Sequence, residues 1–189
     1  MTAAATRRSR RAPARRQKSR KTMKNGSHEI QHHHFLLRME TTTCPGVEDK
    51  GMARHLIASI IRDIHMKILA RPQVYYVVHP LYNEGLTGIA PIQTSHIAFH
   101  FWSRPVQKAL NNPASKCLLQ LDIYTCGSLS LENIQKIMHH LTHFGPTHVN
   151  ATLLNRNYGL TVERKLLWDK DSSDSGKTWQ EWLEQIPGN

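Results

Sequence analysis

Two stretches decide how this chain folds: GLTGIAPIQTSHIAFHFW, Gly85–Trp102, and LLQLDIYTCG, Leu118–Gly127. Thr87–Ile92 and His96–Trp102 read as two extended segments with a short polar break between them. Cys117–Tyr124 is a near-continuous apolar run of strand length, rich in residues that suit a pleated surface. Between them, Pro105, Pro113 and the Asn111–Asn112 pair mark residues 103–116 as a loop or insertion.

Working upstream, Val74–Val78 is a Val/Tyr strand and His79–Leu86 a loop carrying Pro80 and Gly85. Before it, Met52, Leu56, Ile60, Ile64 and Ile68 recur every fourth residue, with Ile57 and Ile61 beside them. That stripe predicts an amphipathic helix, opened by Asp49 as N-cap and closed before Pro72. Thr42–Lys50 is a turn with Pro45 and Gly46. Phe35, Leu37 and Met39 share one parity within Ile30–Thr41, as a strand half-buried on one side requires. Downstream, Ser130 caps a second helix with Ile134, Ile137, Met138 and Leu141 on one face, and Gly145–Pro146 ends it. His148–Leu154 reads as the last strand. The order β-α-β-β-β-β-α-β predicts an α+β fold, a two-layer sandwich with helices over an antiparallel sheet, and not a parallel βαβ array. No internal repeat interrupts it.

The net charge of +11 suggests nucleic acid until it is located. Residues 1–24 hold seven Arg and three Lys and no acidic residue, so the tail carries ten of the eleven charges and the rest of the chain is near neutral. Like-charge blocks of this kind are usually solvated extensions, and the tail is read as one ahead of the other reading, weak and salt-dependent binding to RNA or an anionic surface. It lacks the apolar face of an organellar presequence and the apolar run of a secretory signal. No stretch approaches a membrane span. Cys44, Cys117 and Cys126 are odd in number and irregular in spacing, which suggests neither a disulfide framework nor a zinc site and fits a reducing cytoplasm. The expected organisation is a basic tail over 1–28, one domain over 29–168 and a polar, loose C-terminal extension over 169–189, on whose Trp179 and Trp182 a dock to the body is open.

The same central stretches carry chemistry. Leu86-Thr87-Gly88 stands as a small turn around a hydroxyl. It is followed by Thr94-Ser95-His96, by His100 five residues after the serine, and by Asp122-Ile123-Tyr124-Thr125-Cys126-Gly127. In this order and spacing the chain resembles the bacterial-type, pyruvoyl-dependent S-adenosylmethionine decarboxylase proenzymes over about residues 30–157. The resemblance implies that Ser95 attacks the carbonyl of Thr94 and turns amide into ester. Loss of the α-proton then expels that ester and cuts the chain between Thr94 and Ser95, and hydrolysis leaves a pyruvoyl group, the covalent cofactor, on the new N-terminus. It implies His100 as the base of that elimination, a task suited to a neutral imidazole, and Thr87 as the hydroxyl that holds the ester. The pyruvoyl ketone would take the substrate's primary amine as a Schiff base and act as electron sink while carbon dioxide leaves. Cys126 would return a proton. The activity implied is decarboxylation of S-adenosylmethionine for spermidine synthesis.

Geometry adds an assembly. Along an extended strand at about 3.3 Å per residue, Ser95 and His100 lie roughly 16 Å apart and point to opposite faces. A base must come within about 3 Å of its proton. A twofold homodimer in which Thr87 and His100 of one subunit meet Ser95 and Cys126 of the other resolves this, and the resemblance implies the same shared site.

Blander readings stand beside these. Ser95 can be an ordinary strand serine, His96 and His100 sheet histidines, and Cys126 a small apolar residue. His32–His34 cannot chelate together, because adjacent strand residues face opposite ways. His139 and His143 are four apart on a helix but bring no third ligand, so no metal site is assigned.

The chain departs from the family at three points. Thr94 stands where Glu precedes the serine. Arg104 stands where a Glu holds the ribose hydroxyls. Leu81, with Tyr82 adjacent, falls where an aromatic stacks on adenine. These changes touch substrate recognition, so a decarboxylase for arginine or ornithine, with Arg104 gripping a carboxylate, is the alternative substrate reading. A non-catalytic homologue that binds or regulates a partner is the third.

Overall fold

Alternation along the strands builds a sheet that buries its apolar residues mainly on one side. The computed structural model describes residues 31–78, 84–172 and 176–186. Its strands are β1 (His33–Thr41), β2 (Gln73–Val77), β3 (Gly85–Ile92), β4 (Ser95–Trp102), β5 (Cys117–Thr125), β6 (Pro146–Asn155) and β7 (Thr161–Asp169). They form one antiparallel sheet in the order β2-β3-β4-β5-β1-β6-β7. The helices are α1 (Lys50–Asp63), α2 (Leu131–Leu141) and α3 (Trp179–Gln185).

Phe35 on β1, Ile97 and Phe101 on β4 and Ile123 on β5 are buried against Ile57 of α1 and Ile137 of α2 in one continuous core. Each such side chain contributes roughly 1.5–3 kcal/mol by leaving water. Residues of the other parity, among them Leu36, Tyr75, Ile89 and Leu167, stay exposed on the opposite face. The architecture is therefore the α+β two-layer sandwich that the strand and helix periodicities predict. The Ser130 cap is also as predicted: its hydroxyl accepts the Asn133 N–H, closing a reciprocal capping box.

Several local expectations need correction. α1 stops at Asp63 instead of running on to Ile68. Ile64 continues the buried stripe, but His65 turns to φ 55 and the chain leaves the helix, so that Ile68 bridges Ile92 of the sheet. Leu86-Thr87-Gly88 is not a turn; it lies inside β3, paired with Phe99–Phe101 of β4. β7 was not expected, because Val162–Lys165 is an exposed, charged edge whose side chains give no apolar alternation; edges of this kind resist further pairing. Nor is the described C-terminal segment loose. Leu183 and Ile186 are buried, and Trp179 and Trp182 pack with Trp168 at ring-centroid separations of 5.2 and 6.4 Å.

Cys44 and Cys117 form a disulfide with their Cα atoms 5.6 Å apart, against the expectation that none forms. Their separation of 73 residues hides the contact from the sequence. The inference of a reducing compartment from cysteine usage loses that support.

The 103–116 interval is a loop, as its prolines suggest, but one held by a carboxylate. Glu40 is fully buried at the end of β1. It accepts the backbone N–H of Asn111 at 2.8 Å and of Asn112 at 3.0 Å, the Ser115 hydroxyl at 2.8 Å and the Arg38 guanidinium at 2.6 Å. Burial alone would raise its pKa; the donors from Asn112, Arg38, Asn111 and Ser115 outweigh that and hold it at about 2.

Candidate functional site

The β3–β4 hairpin is the element that places the serine. Ile92 pairs with Ser95, which leaves Gln93 and Thr94 as a two-residue loop. Thr94 sits at φ 65, a left-handed conformation that suits Gly or Asn better than a β-branched residue. Ser95 opens β4, and its hydroxyl donates to the backbone carbonyl of Tyr124 on β5. Two residues further on, the half-buried Cys126 thiol lies 3.0 Å from the carbonyl oxygen of Thr94. Thr94 in the loop, Ser95 at the start of β4 and Cys126 just past the end of β5 are thus gathered at one point, and the carbonyl that Ser95 would attack is the one the thiol touches.

Thr87 and His100 form a second group. They are direct cross-strand neighbours, Thr87 on β3 and His100 on β4, on the face the helices leave uncovered. The Thr87 hydroxyl donates to the Phe99 carbonyl at 3.4 Å. His100 packs edge-to-face on Trp102, ring centroids 4.0 Å apart. Its Nε2 is buried without a hydrogen-bond partner among the described residues. That burial lowers its pKa, so the imidazole is neutral at pH 7. Ser95 and His100 belong to opposite parities of one strand, and the fold does not bring them together within a protomer. The uncovered face is concave, about 740 Å³, and is lined by Arg38, Tyr75, Thr87, His100, Gln120 and Asp122 among others.

Arg104 lies past the far end of the hairpin from Ser95. Its Nε is 3.3 Å from Glu84 Oε2, its side chain is 79% exposed, and Glu84 also accepts the Tyr76 hydroxyl at 2.9 Å. Leu81 and Tyr82 lie outside the described residues.

Sequence reasoning missed a polar cluster beside the serine. Asp122 Oδ1 is 2.9 Å from His34 Nε2 and 3.4 Å from His96 Nε2. Tyr124 lies among these rings, with the Arg156 guanidinium 4.4 Å from its centroid and His32 Nδ1 3.1 Å from its hydroxyl. His32 and His34 on one segment and Asp122 and Tyr124 on β5 are spaced by two, and only the pairing register brings them beside His96. His32 and His34 share this face, while His33 turns to the core and accepts the Leu129 N–H at 2.8 Å. On α2, His140 pairs with Asp63 at 2.6 Å. No cluster of three or more metal-ligating side chains occurs among the described residues, and no helix there is long and apolar enough to cross a membrane.

The residue before a self-cleaving bond must offer an accessible carbonyl, and the one after it a nucleophile. The tip of this hairpin fits a pyruvoyl group made in place: Ser95 is the first strand residue, Thr94 presents its carbonyl, and a thiol is already on it. Residues 33–157 match the family model described as S-adenosylmethionine decarboxylase. No curated protein gives a significant match.

Proposed function

The chain belongs to the S-adenosylmethionine decarboxylase family, and from that membership we propose that it is a self-cleaving carboxy-lyase whose pyruvoyl cofactor arises from Ser95. The family is one of pyruvoyl-dependent decarboxylases. The observation that carries the assignment to these residues is the Cys126 thiol 3.0 Å from the Thr94 carbonyl, with Ser95 next in the chain.

The roles follow from position. Ser95 Oγ, freed from the Tyr124 carbonyl, adds to the Thr94 carbonyl carbon. Cys126 donates toward the oxygen on which negative charge grows. His100, kept neutral by burial, takes the Ser95 α-proton, and Thr87 beside it holds the ester oxygen. Once formed, the pyruvoyl group supplies an electrophilic carbonyl that holds the substrate amine and takes up the electron pair left by carbon dioxide. Cys126 then returns a proton to the substrate carbon.

For His100 and Thr87 to reach Ser95, a second copy must supply them. The uncovered sheet face is the surface for it, with Leu36, Tyr75, Ile89 and Leu167 exposed there, and a twofold homodimer gives each site both halves. The proposed substrate is S-adenosylmethionine, decarboxylated in the cytoplasm to provide the aminopropyl donor for spermidine. Arginine or ornithine is the second reading. It is favoured by Arg104, whose side chain is largely exposed with Glu84 beside its Nε.

Carbon dioxide release from the purified chain given S-adenosylmethionine, arginine or ornithine in turn tests the assignment. Release from S-adenosylmethionine alone is the expected result. Release only from arginine or ornithine moves the substrate, and release from none of the three leaves the non-catalytic homologue.

A further inference from the structure

The tip of the β3–β4 hairpin is strained where the chain is to be cut. A two-residue loop between antiparallel strands needs positive φ at one or both positions, which Gly, Asn and Asp supply without penalty. Here that position is Thr94, at φ 65, one of only two non-glycine residues with positive φ among the described residues. A β-branched side chain crowds its own backbone there.

Such a conformation persists only where its surroundings enforce it, and this turn is gripped on both sides. On one side, Gln93 N–H donates to the Lys67 carbonyl at 2.8 Å and Leu69 N–H to the Pro91 carbonyl at 3.1 Å. That segment leaves α1 through His65, the other residue at positive φ. On the other side, β5 holds Ser95 through the Tyr124 carbonyl and Thr94 through the Cys126 thiol. The side chain of Thr94 adds only a local bond to the Gln93 carbonyl, 2.6 Å.

The geometry points to Thr94 as a positioning residue whose backbone strain drives the amide-to-ester step of self-cleavage; this rests on the reading of Ser95 as the nucleophile. In that step the Ser95 Oγ–C bond to Thr94 forms and the Oγ proton passes to a base. The Thr94–Ser95 C–N bond breaks, and the Ser95 nitrogen takes up a proton. No oxidant or reductant is needed. The amide is the more stable linkage, so the shift is uphill unless something else is released. The ester route from the Thr94 carbonyl to Ser95 Cα is one atom longer than the amide route. The two-residue loop gains slack, and Thr94 can return to negative φ. The strain lies in the reactant and is absent from the ester, so it lowers the barrier between them.

The test follows cleavage of freshly purified uncut chain by mass spectrometry, with hydroxylamine to trap the ester. Thr94→Gly keeps the turn without strain and is expected to cut roughly tenfold more slowly, with less trappable ester. Thr94→Asn is expected between Gly and the parent, and Thr94→Val, which keeps the crowding and loses the hydroxyl, cuts faster than Thr94→Gly. A second measurement is independent of turnover. In the Ser95→Ala background, which cannot cut, Thr94→Asn should raise the thermal unfolding midpoint. Thr94→Gly cutting as fast as the parent, or Thr94→Asn leaving that midpoint unchanged, overturns the strain proposal while Ser95 chemistry stands. A parent chain that never cuts instead overturns the reading of Ser95.

Discussion

At the residue scale, the proposed roles separate by what each variant stops. Ser95→Ala should remain a single uncut polypeptide. His100→Ala should accumulate the ester, visible as hydroxylamine-induced cleavage at Ser95, and cut spontaneously at least a hundredfold more slowly, the usual weight of a general base. Cys126→Ala should still cut, if slowly, and lose most carbon dioxide release; a variant that turns over normally would remove the thiol from the mechanism. Because burial depresses the His100 pKa, the base stays neutral below the pH at which an ordinary imidazole takes its proton. Cleavage rate should therefore hold through pH 6.5 and fall only at lower pH, and a profile that drops at the ordinary histidine value contradicts this. These residues could be proposed from the sequence because their order along the chain resembles that of a self-processing family. His34, Asp122 and Arg156 could not, since their proximity depends on which strand lies beside which, and spacing in sequence carries none of that.

At the element scale, the two core helices and the strand β1 announce themselves by periodicity, because each buries one face, and β5 by a near-continuous apolar run of strand length. β7 escapes for the complementary reason: as an edge strand its exposed residues Val162–Lys165 obey no burial pattern. The α1 overrun comes from the same physics, because Ile64 and Ile68 keep the fourfold spacing after the backbone has left the helix. The loop over 103–116 illustrates a different limit. Its prolines mark it as irregular, but its attachment is a carboxylate 71 to 75 residues before the groups it holds. Glu40→Gln should cost roughly 3 kcal/mol of stability, read as a shift in the denaturant midpoint, since amide hydrogens would face the N–H groups of Asn111 and Asn112. The pH dependence has a definite sign. The folded pKa of about 2 lies below the ordinary 4.5, so the unfolded chain takes up the proton first. The stabilisation is complete above 4.5 and is lost as pH falls through about 2. Parent protein should lose stability over that window, and the Glu40→Gln variant should lose less.

At the scale of the whole molecule, a seven-stranded sheet with helices on one side leaves the other side concave and partly apolar; Thr87 and His100 lie on that side, while Ser95 sits at the hairpin tip with the opposite parity. A second copy accounts for both facts. Mixing unfolded Ser95→Ala and His100→Ala chains and refolding them together should restore cleavage in part of the His100→Ala chains, because a mixed dimer has one complete site. Absence of any rescue, with dimers present by sedimentation, would place the site within one subunit. A dimer is inferred from parity, which the sequence already displays: five residues along a strand put Ser95 and His100 on opposite faces. The sequence does not display the disulfide between Cys44 and Cys117, because nothing local marks residues 73 apart as neighbours.

The intact mass of the full chain, taken after purification and again after prolonged incubation, bears most directly on the whole account. The expected result is two fragments. One ends at Thr94; the other starts at position 95, resists Edman sequencing, and is lighter by one ammonia than a serine-terminated piece. A single full-length mass that does not change with time, and that acquires no label from a carbonyl-reactive hydrazide, would contradict it.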